Sequence, residues 1–275
     1  WNIRRKASCE PGASPHGADR AGDTGTGGWG EFEMKPDWRI LAVDTATRCC
    51  SAAVQVGGRL AAETVVRSDR THSEHLLGMI QEVLKMAGLT VQVIDGMAVS
   101  IGPGSFTGLR IGISTIQGLA LAGGIPCVGV SSLEVLAFAG LPWPQGIWAL
   151  MDARKGEVYA GRFREREGRL EPLAPEQVRP LEAVLGAVDS PHLFIGDGAE
   201  RYQDRIRSTL GELARFAPPE RNFPRAGTLA RLAQPRLAES AGAFDAGLLV
   251  PRYLRQPEAE LRNRCAPAVH AAMDA

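Results

Sequence analysis

GPGSFTGLR, running from Gly102 to Arg110, sits where an apolar run ending Met97-Ala98-Val99-Ser100-Ile101 gives way to a helical pattern. Three glycines and a proline in so short a span specify backbone geometry more than side-chain packing. Glycine permits positive φ and the close approach of a ligand or another chain, and Ser105 or Thr107 is placed to cap the first amides of the following helix. A strand, a glycine turn and a helix N-terminus in succession mark a site for a phosphate-like anion or for a protein. The string lacks the lysine of a P-loop, and its glycines do not follow the GxGxxG spacing of a dinucleotide fold. Pro103 and Thr107 stand where a nucleophile elbow around Ser105 needs glycines.

Upstream, Arg39-Ile40-Leu41-Ala42-Val43-Asp44 reads as a buried strand that ends in the turn Asp44-Thr45-Ala46-Thr47. Cys50–Val56 and Leu60–Arg67 read as two further strands joined at Gly57-Gly58. Thr71-His72-Ser73-Glu74 fits a T-x-x-E capping box, and Leu76, Leu77, Met79, Ile80, Val83, Leu84 and Met86 recur at helical spacing up to a Gly88 stop. Downstream of the glycine turn a helix reaches Gly123-Gly124, Pro126–Val130 forms a short strand, and Ser131 opens another capped helix. The order is β-β-β-α-β-α-β-α. After a joint at Leu141-Pro142-Trp143-Pro144 the order begins again, with strands at Ile147–Asp152, Glu157–Phe163 and near Leu170. A helix over Val178–Val188, a strand at His192–Ile195, Gly196-Asp197-Gly198 and a helix from Ala199 follow. An apolar helix then runs from Gly227 through Leu237 to a closing Leu248–Arg255. The expected organisation is a disordered leader over 1–37, subdomains over 38–140 and 141–256, and a flexible tail over 257–275, with Met34 reading as an alternative start.

The 275 residues are 44% hydrophobic, enough for a sizeable core. Lysine plus arginine and aspartate plus glutamate each number 31, so no basic excess marks a stand-alone nucleic-acid binder. The five cysteines form no CxxC pair and read as reduced thiols. No apolar run reaches the roughly 18 residues of a membrane span, so the expected compartment is the cytoplasm.

Asp44, followed by Thr45 and Thr47, ends the first strand where α/β folds place ligand-facing groups. It reads equally as an anchor for phosphate-bound magnesium or as a strand-end turn cap. His72 and His75 stand three apart with Glu74 between them, which is not the spacing of a zincin box, and no metal site is expected. Asp152, Arg154, Glu157 and Tyr159 read as an exposed hairpin turn whose ion pair is worth under ~1 kcal/mol.

Taken together and in order, ILAVDTAT, THSEHLL, GPGSFTGLRIG, MDARKGEVYAG, GDG and PRYLR resemble the TsaB family, also called YeaZ, over most of the chain from Trp38 onward. The resemblance implies an α/β, actin-like ATPase (ASKHA) fold of two βββαβαβα subdomains. It implies a non-catalytic partner in the transfer of threonylcarbamoyl to the adenosine next to the anticodon of ANN-decoding tRNAs, binding and activating TsaD together with TsaE. TsaD then carries the metal and the transfer step, TsaC supplies the threonylcarbamoyl adenylate, and this chain needs no catalytic residue or cofactor of its own. The residues placed to hold weakly bound ATP or ADP at a subunit junction are Asp44, Thr45, Thr47, Gly104 and Ser105. The implied partner surface lies on the first two helices, at His72, His75, Leu76, Leu77, Ile80, Leu84, Gly108, Arg110, Gly112 and Thr115. It also serves a homodimer when TsaD is absent, and tRNA is met only through the complex. The alternative is a phosphotransferase or ATPase of the same fold with Asp44 as magnesium anchor. Ala46, standing where actin-like ATPases carry the glycine of a D-x-G-T turn, argues against it.

Overall fold

The structure, a computed structural model, describes residues 38–255 except 69, 70, 168, 240–246 and 248. The leader expected over 1–37, the Met34 start and the tail expected over 257–275 lie outside the described residues. The first half contains β1 (Arg39–Asp44), β2 (Cys49–Val56), β3 (Arg59–Arg67), α1 (His72–Met86), β4 (Gly96–Gly102), α2 (Phe106–Gly123), β5 (Cys127–Ser131) and α3 (Ser132–Ala139). The second contains β6 (Gly146–Asp152), β7 (Glu157–Arg166), β8 (Arg169–Pro172), β9 (Gln177–Pro180), α4 (Leu181–Leu185), β10 (His192–Ile195), α5 (Asp197–Arg201), α6 (Gln203–Leu210), β11 (Ala214–Phe216) and α7 (Ala226–Glu239).

Strand order shows the duplication that element order only hints at. One sheet runs β3-β2-β1-β4-β5 and the other β8-β7-β6-β10-β11, with β9 added against β7. In both, the first strand pairs antiparallel with the second, β1 with β2 and β6 with β7, and parallel with the strand that follows the half's first helix, β1 with β4 and β6 with β10. This is the actin-like arrangement of two related α/β halves.

β1 is apolar on both faces because its sheet is covered on both. Leu41 and Val43 join the cluster that includes Leu76, Ile80 and Val83 of α1 and Leu109 and Ile113 of α2. Ile40 and Ala42, pointing the other way, meet Leu229, Ala233 and Leu237 of α7. Residues 226–239, which fall in the second expected subdomain, thus pack on the first sheet. Leu133 and Leu136 of α3 carry the core across to Ile147 and Ala149 of β6. The other face of the second sheet closes with Leu181, Val184 and Ile206. Among the described residues no helix is long and apolar enough to cross a membrane.

Several local expectations are corrected. The Thr71 hydroxyl makes no cap bond to an amide; it reaches the Glu74 carboxylate at 2.9 Å instead. Ser131 likewise leaves the α3 amides alone and donates to Glu176 Oε1 at 2.6 Å. The helix expected over Val178–Val188 begins only at Leu181, because Gln177–Pro180 extends as β9 along β7 and Pro180, φ −57° and ψ 145°, supplies the extended residue before the helix. The Gly88 stop holds: with φ +66° it allows its own amide to reach Lys85 O and that of Leu89 to reach Leu84 O.

The closing PRYLR forms no regular element. Arg252 N–H donates to Ile101 O at 2.7 Å, and the Arg252 guanidinium meets Glu176 at 2.8 Å. Arg255 reaches Ala153 O at 2.7 Å and pairs with Glu157. This strap ties the glycine turn of the first half to the β6–β7 hairpin of the second.

Candidate functional site

The Asp44–Thr47 turn and the Gly102–Gly108 turn lie at the same edge of the first sheet, because β1 and β4 run parallel and end side by side. Their contact is made by backbone groups and the Thr45 hydroxyl. Ser105 N–H donates to Ala46 O at 2.7 Å, and Thr45 Oγ1 donates to Gly108 O at 2.8 Å. A Cβ at Gly104 would strike the Ala46 carbonyl, one at Gly108 the Thr45 carbonyl, and one at Gly112 the Thr45 hydroxyl. The three glycines are spent on this approach, which no other residue allows. Gly102, at φ +113°, turns beneath the strap with Arg252 O against it. Ser105 caps α2, accepting from Gly108 N–H at 3.2 Å, and Thr107 does not take that role.

Asp44 and Thr45 are fully buried, and Ala46 is 1% exposed. Asp44 Oδ1 accepts from Ala46 N–H at 3.2 Å, while Oδ2 has no partner. Ser100 Oγ stands near enough to favour the charged carboxylate but outside hydrogen-bond geometry. Burial outweighs both influences and pushes the Asp44 carboxyl up to about 7. Thr47 Oγ1 accepts from Cys49 N–H at 3.1 Å, and Thr47 O accepts from His72 Nε2 at 2.7 Å. The five residues expected to hold a nucleotide therefore do come together. Asp44, Thr45 and the adjoining Ala46 are covered by the chain itself, whereas Thr47 and Gly104 are half-buried and Ser105 is exposed. The neighbouring Cys49 and Cys50 are buried thiols, with Cys50 pushed up to about 12 by burial.

The second half offers a related but open arrangement. β10 ends at Ile195 and is followed by Gly196, φ +111°, and β6 ends at Asp152. Asp197 Oδ1 accepts from Asp152 N–H at 3.1 Å, and Asp152 Oδ1 from Arg154 N–H at 2.9 Å. Arg201 lies 3.3 Å from Asp152 Oδ2. Asp197 keeps an exposed edge, but the protein packed around its carboxyl raises it to about 6, with the charge of Asp152 adding to the rise. Reading the sequence names GDG without singling out its aspartate. A signal for it exists, since β4 runs into Gly102-Pro103-Gly104 and β10 into Gly196-Asp197-Gly198.

The residues expected on a partner surface separate into three groups. Leu76, Ile80 and Leu84 point into the core, and Gly108 and Gly112 are buried under the turn. His72, His75 and Thr115 are half-buried. Leu77, 57% exposed, and Arg110 face outward. The exposed apolar residues Met86, Leu121 and Phe106 on the same two helices lie outside the expected set. Arg110 is engaged within the chain: its guanidinium lies 3.9 Å over the Phe106 ring, which stacks on Tyr253 at 5.0 Å, and its Nε donates to Tyr253 Oη at 3.2 Å. Beside this stack a groove of about 570 Å³ runs between α2 and the strap, lined by Ile113, Gln117, Leu249 and Val250.

A family described as "TsaD: tRNA N6-adenosine threonylcarbamoyltransferase" matches residues 64–262. The tRNA threonylcarbamoyladenosine biosynthesis protein TsaB of Bacillus subtilis is 32% identical over 226 residues, covering 81% of this chain and 96% of that protein. The Escherichia coli protein of the same name is 41% identical over 138 residues, 47% of this chain and 56% of that protein. The solved structure of YeaZ from Pseudomonas aeruginosa superposes with a TM-score of 0.69 at 32% identity, over 79% of this chain and 100% of that one.

Proposed function

The chain belongs to the TsaB (YeaZ) family, and from that premise we propose that it serves tRNA threonylcarbamoyladenosine biosynthesis in the cytoplasm as a non-catalytic subunit that binds and activates TsaD together with TsaE. The observation that carries the non-catalytic part is the closed turn. Where an ATPase of this fold needs backbone open to phosphate, Ala46 O and Thr45 Oγ1 are bonded to the glycine turn and Asp44 is fully buried. Asp44 and Thr45 are retained here as internal architecture. Any nucleotide in the assembly sits at the junction with TsaD.

The partner face is the outer side of α1 and α2. Leu77 is the expected residue there that is both apolar and exposed, and Leu121, 64% exposed, adds to it. The same face pairs two copies of the chain when TsaD is absent. Reconstitution of threonylcarbamoyladenosine on tRNA with this chain omitted and restored tests the role, and modification independent of the chain overturns it. Leu77→Arg tests the face: the variant is expected to keep its fold and lose at least about tenfold in association with TsaD by gel filtration. Undiminished association sinks the assignment. Gly112 is unsuitable for this test because a side chain there collides with Thr45.

A further inference from the structure

A second cavity, of about 410 Å³, lies at the opposite edge of the first sheet from the closed turn, between the β2–β3 hairpin, the end of α3 and the start of α7. Its lining includes Arg221, Arg225, Arg231, Phe138, Phe223 and Glu63. Three guanidinium groups face one carboxylate in a chain whose 31 basic and 31 acidic residues otherwise balance. Glu63, its side chain 6% exposed, is fully used: it pairs with Arg225 and accepts Gly227 N–H at 2.9 Å. That second bond also occupies the first turn of α7, so the helix terminus is not what holds a ligand. Arg221 and Arg231 are exposed and have no carboxylate partner among the described residues. Arg221 donates to a carbonyl, Ala139 O at 3.4 Å, and Arg231 lies 5.4 Å over the Phe138 ring.

Cations without counterions beside half-buried aromatic rings are the elements with which proteins hold single-stranded nucleic acid, the cations taking phosphate and the π-faces taking bases. An acidic peptide would use the charge and leave the rings idle. A duplex cannot enter a concavity of this size, whereas one splayed nucleotide fits it. We propose that this cavity binds a nucleotide of a single-stranded RNA segment, with Arg221 and Arg231 on its phosphates and Phe138 and Phe223 against its base. The choice of RNA rests on the reading of the chain as a tRNA-modification subunit.

The test is fluorescence anisotropy of the full chain with a labelled single-stranded RNA of about 10 nucleotides. The Arg221→Gln/Arg231→Gln double variant is expected to bind at least about tenfold more weakly and to lower the slope of log affinity against log salt by about 1.4, two contacts at roughly 0.7 each. Phe223→Leu is expected to weaken binding severalfold with that slope unchanged, because stacking releases no counterions. Both arginines are exposed, so circular dichroism is expected to report the wild-type fold. Arg231→Lys, which keeps the charge, should lose less than Arg231→Gln. Wild-type affinity in the double variant overturns the proposal, as does displacement of the RNA by AMP or by polyglutamate at the concentration at which unlabelled RNA displaces it. Reconstituted tRNA modification is measured in parallel. Modification supported by the chain without any oligonucleotide binding overturns the cavity assignment alone, and binding without support for modification overturns the family role alone.

Discussion

Each half of the molecule joins its first strand to its second by a short connection that begins with an aspartate, Asp44 in one and Asp152 in the other. The first connection is roofed by the glycine turn: Asp44 and Thr45 are fully buried and its polar backbone is bonded inward. The second leaves Arg154, Lys155 and Gly156 exposed, with Asp152 held by Arg201 and by its own turn. Arg154, Lys155 and Gly156 all take positive φ, at 64°, 54° and 78°. A duplicated fold has thus put the same structural position to opposite uses. In the first half Asp44 and Thr45 are taken up in packing; in the second Arg154, Lys155 and Gly156 remain at the surface.

Asp44 is where this contrast is expected to show most. Its carboxyl, ordinarily near 3.8, is raised to about 7 by burial. The fold therefore accepts the neutral acid: the stability tied to this group is whole below the unfolded value and is lost as pH rises through 7. Asp44→Asn keeps the shape and never ionises. It is expected to match wild type below about pH 4 and to exceed it by on the order of 4 kcal/mol above about pH 8. Urea titrations across that range measure the difference. A variant that follows the wild-type pH profile would show that the buried carboxylate carries no such cost.

The closeness of the roof gives the next effect. Gly104→Ala drives a Cβ into the Ala46 carbonyl, a backbone group that cannot step aside, and is expected to cost on the order of 3 kcal/mol. Gly156→Ala in the open connection meets no atom within 4 Å and bears only its positive φ, so about 1 kcal/mol is expected. Equal midpoints in denaturant for the two variants would break the comparison, because they would mean that the first turn has room to yield.

The elements that carry this contrast are readable from the sequence. Strands β1 to β4 and helices α1 and α2 follow from periodicity, Gly57-Gly58 and Gly88 from turn chemistry, and the importance of Gly102–Arg110 from its composition. What the glycines approach is not readable, since the pairing of Gly104 with Ala46 and of Gly112 with Thr45 arises only when β1 and β4 lie in register. The wide apolar stripe of α1 is ambiguous for a similar reason. Leu76, Ile80 and Leu84 look the same in sequence whether a sheet or a partner covers them, and here the sheet does. β11 has three residues, too few for a period, and β9 is hidden by a helical pattern that Pro180 interrupts. The strap escapes because its contacts are long in sequence: Arg252 with Ile101 and Glu176, and Tyr253 with Phe106.

The smallest effect belongs to the open connection. Asp152→Asn retains Oδ1 as acceptor for Arg154 N–H and loses only the ion pair with Arg201, whose side chain is 62% exposed. Such a pair is worth under about 1 kcal/mol once solvent screening is counted. The same substitution removes the negative charge that adds to the raised pKa of Asp197, so Asp197 is expected to ionise below its present value of about 6. Carbon-detected NMR titration of the Asp197 carboxyl reads that shift, and thermal unfolding near pH 7 reads the stability. A small loss of stability with a downward shift at Asp197 means that Asp152 acts on Asp197 through its charge and adds little to the stability of the second connection. A loss approaching the cost of Gly104→Ala, with Asp197 unmoved, would mean that Asp152 is built into the fold as firmly as the roofed turn of the first half.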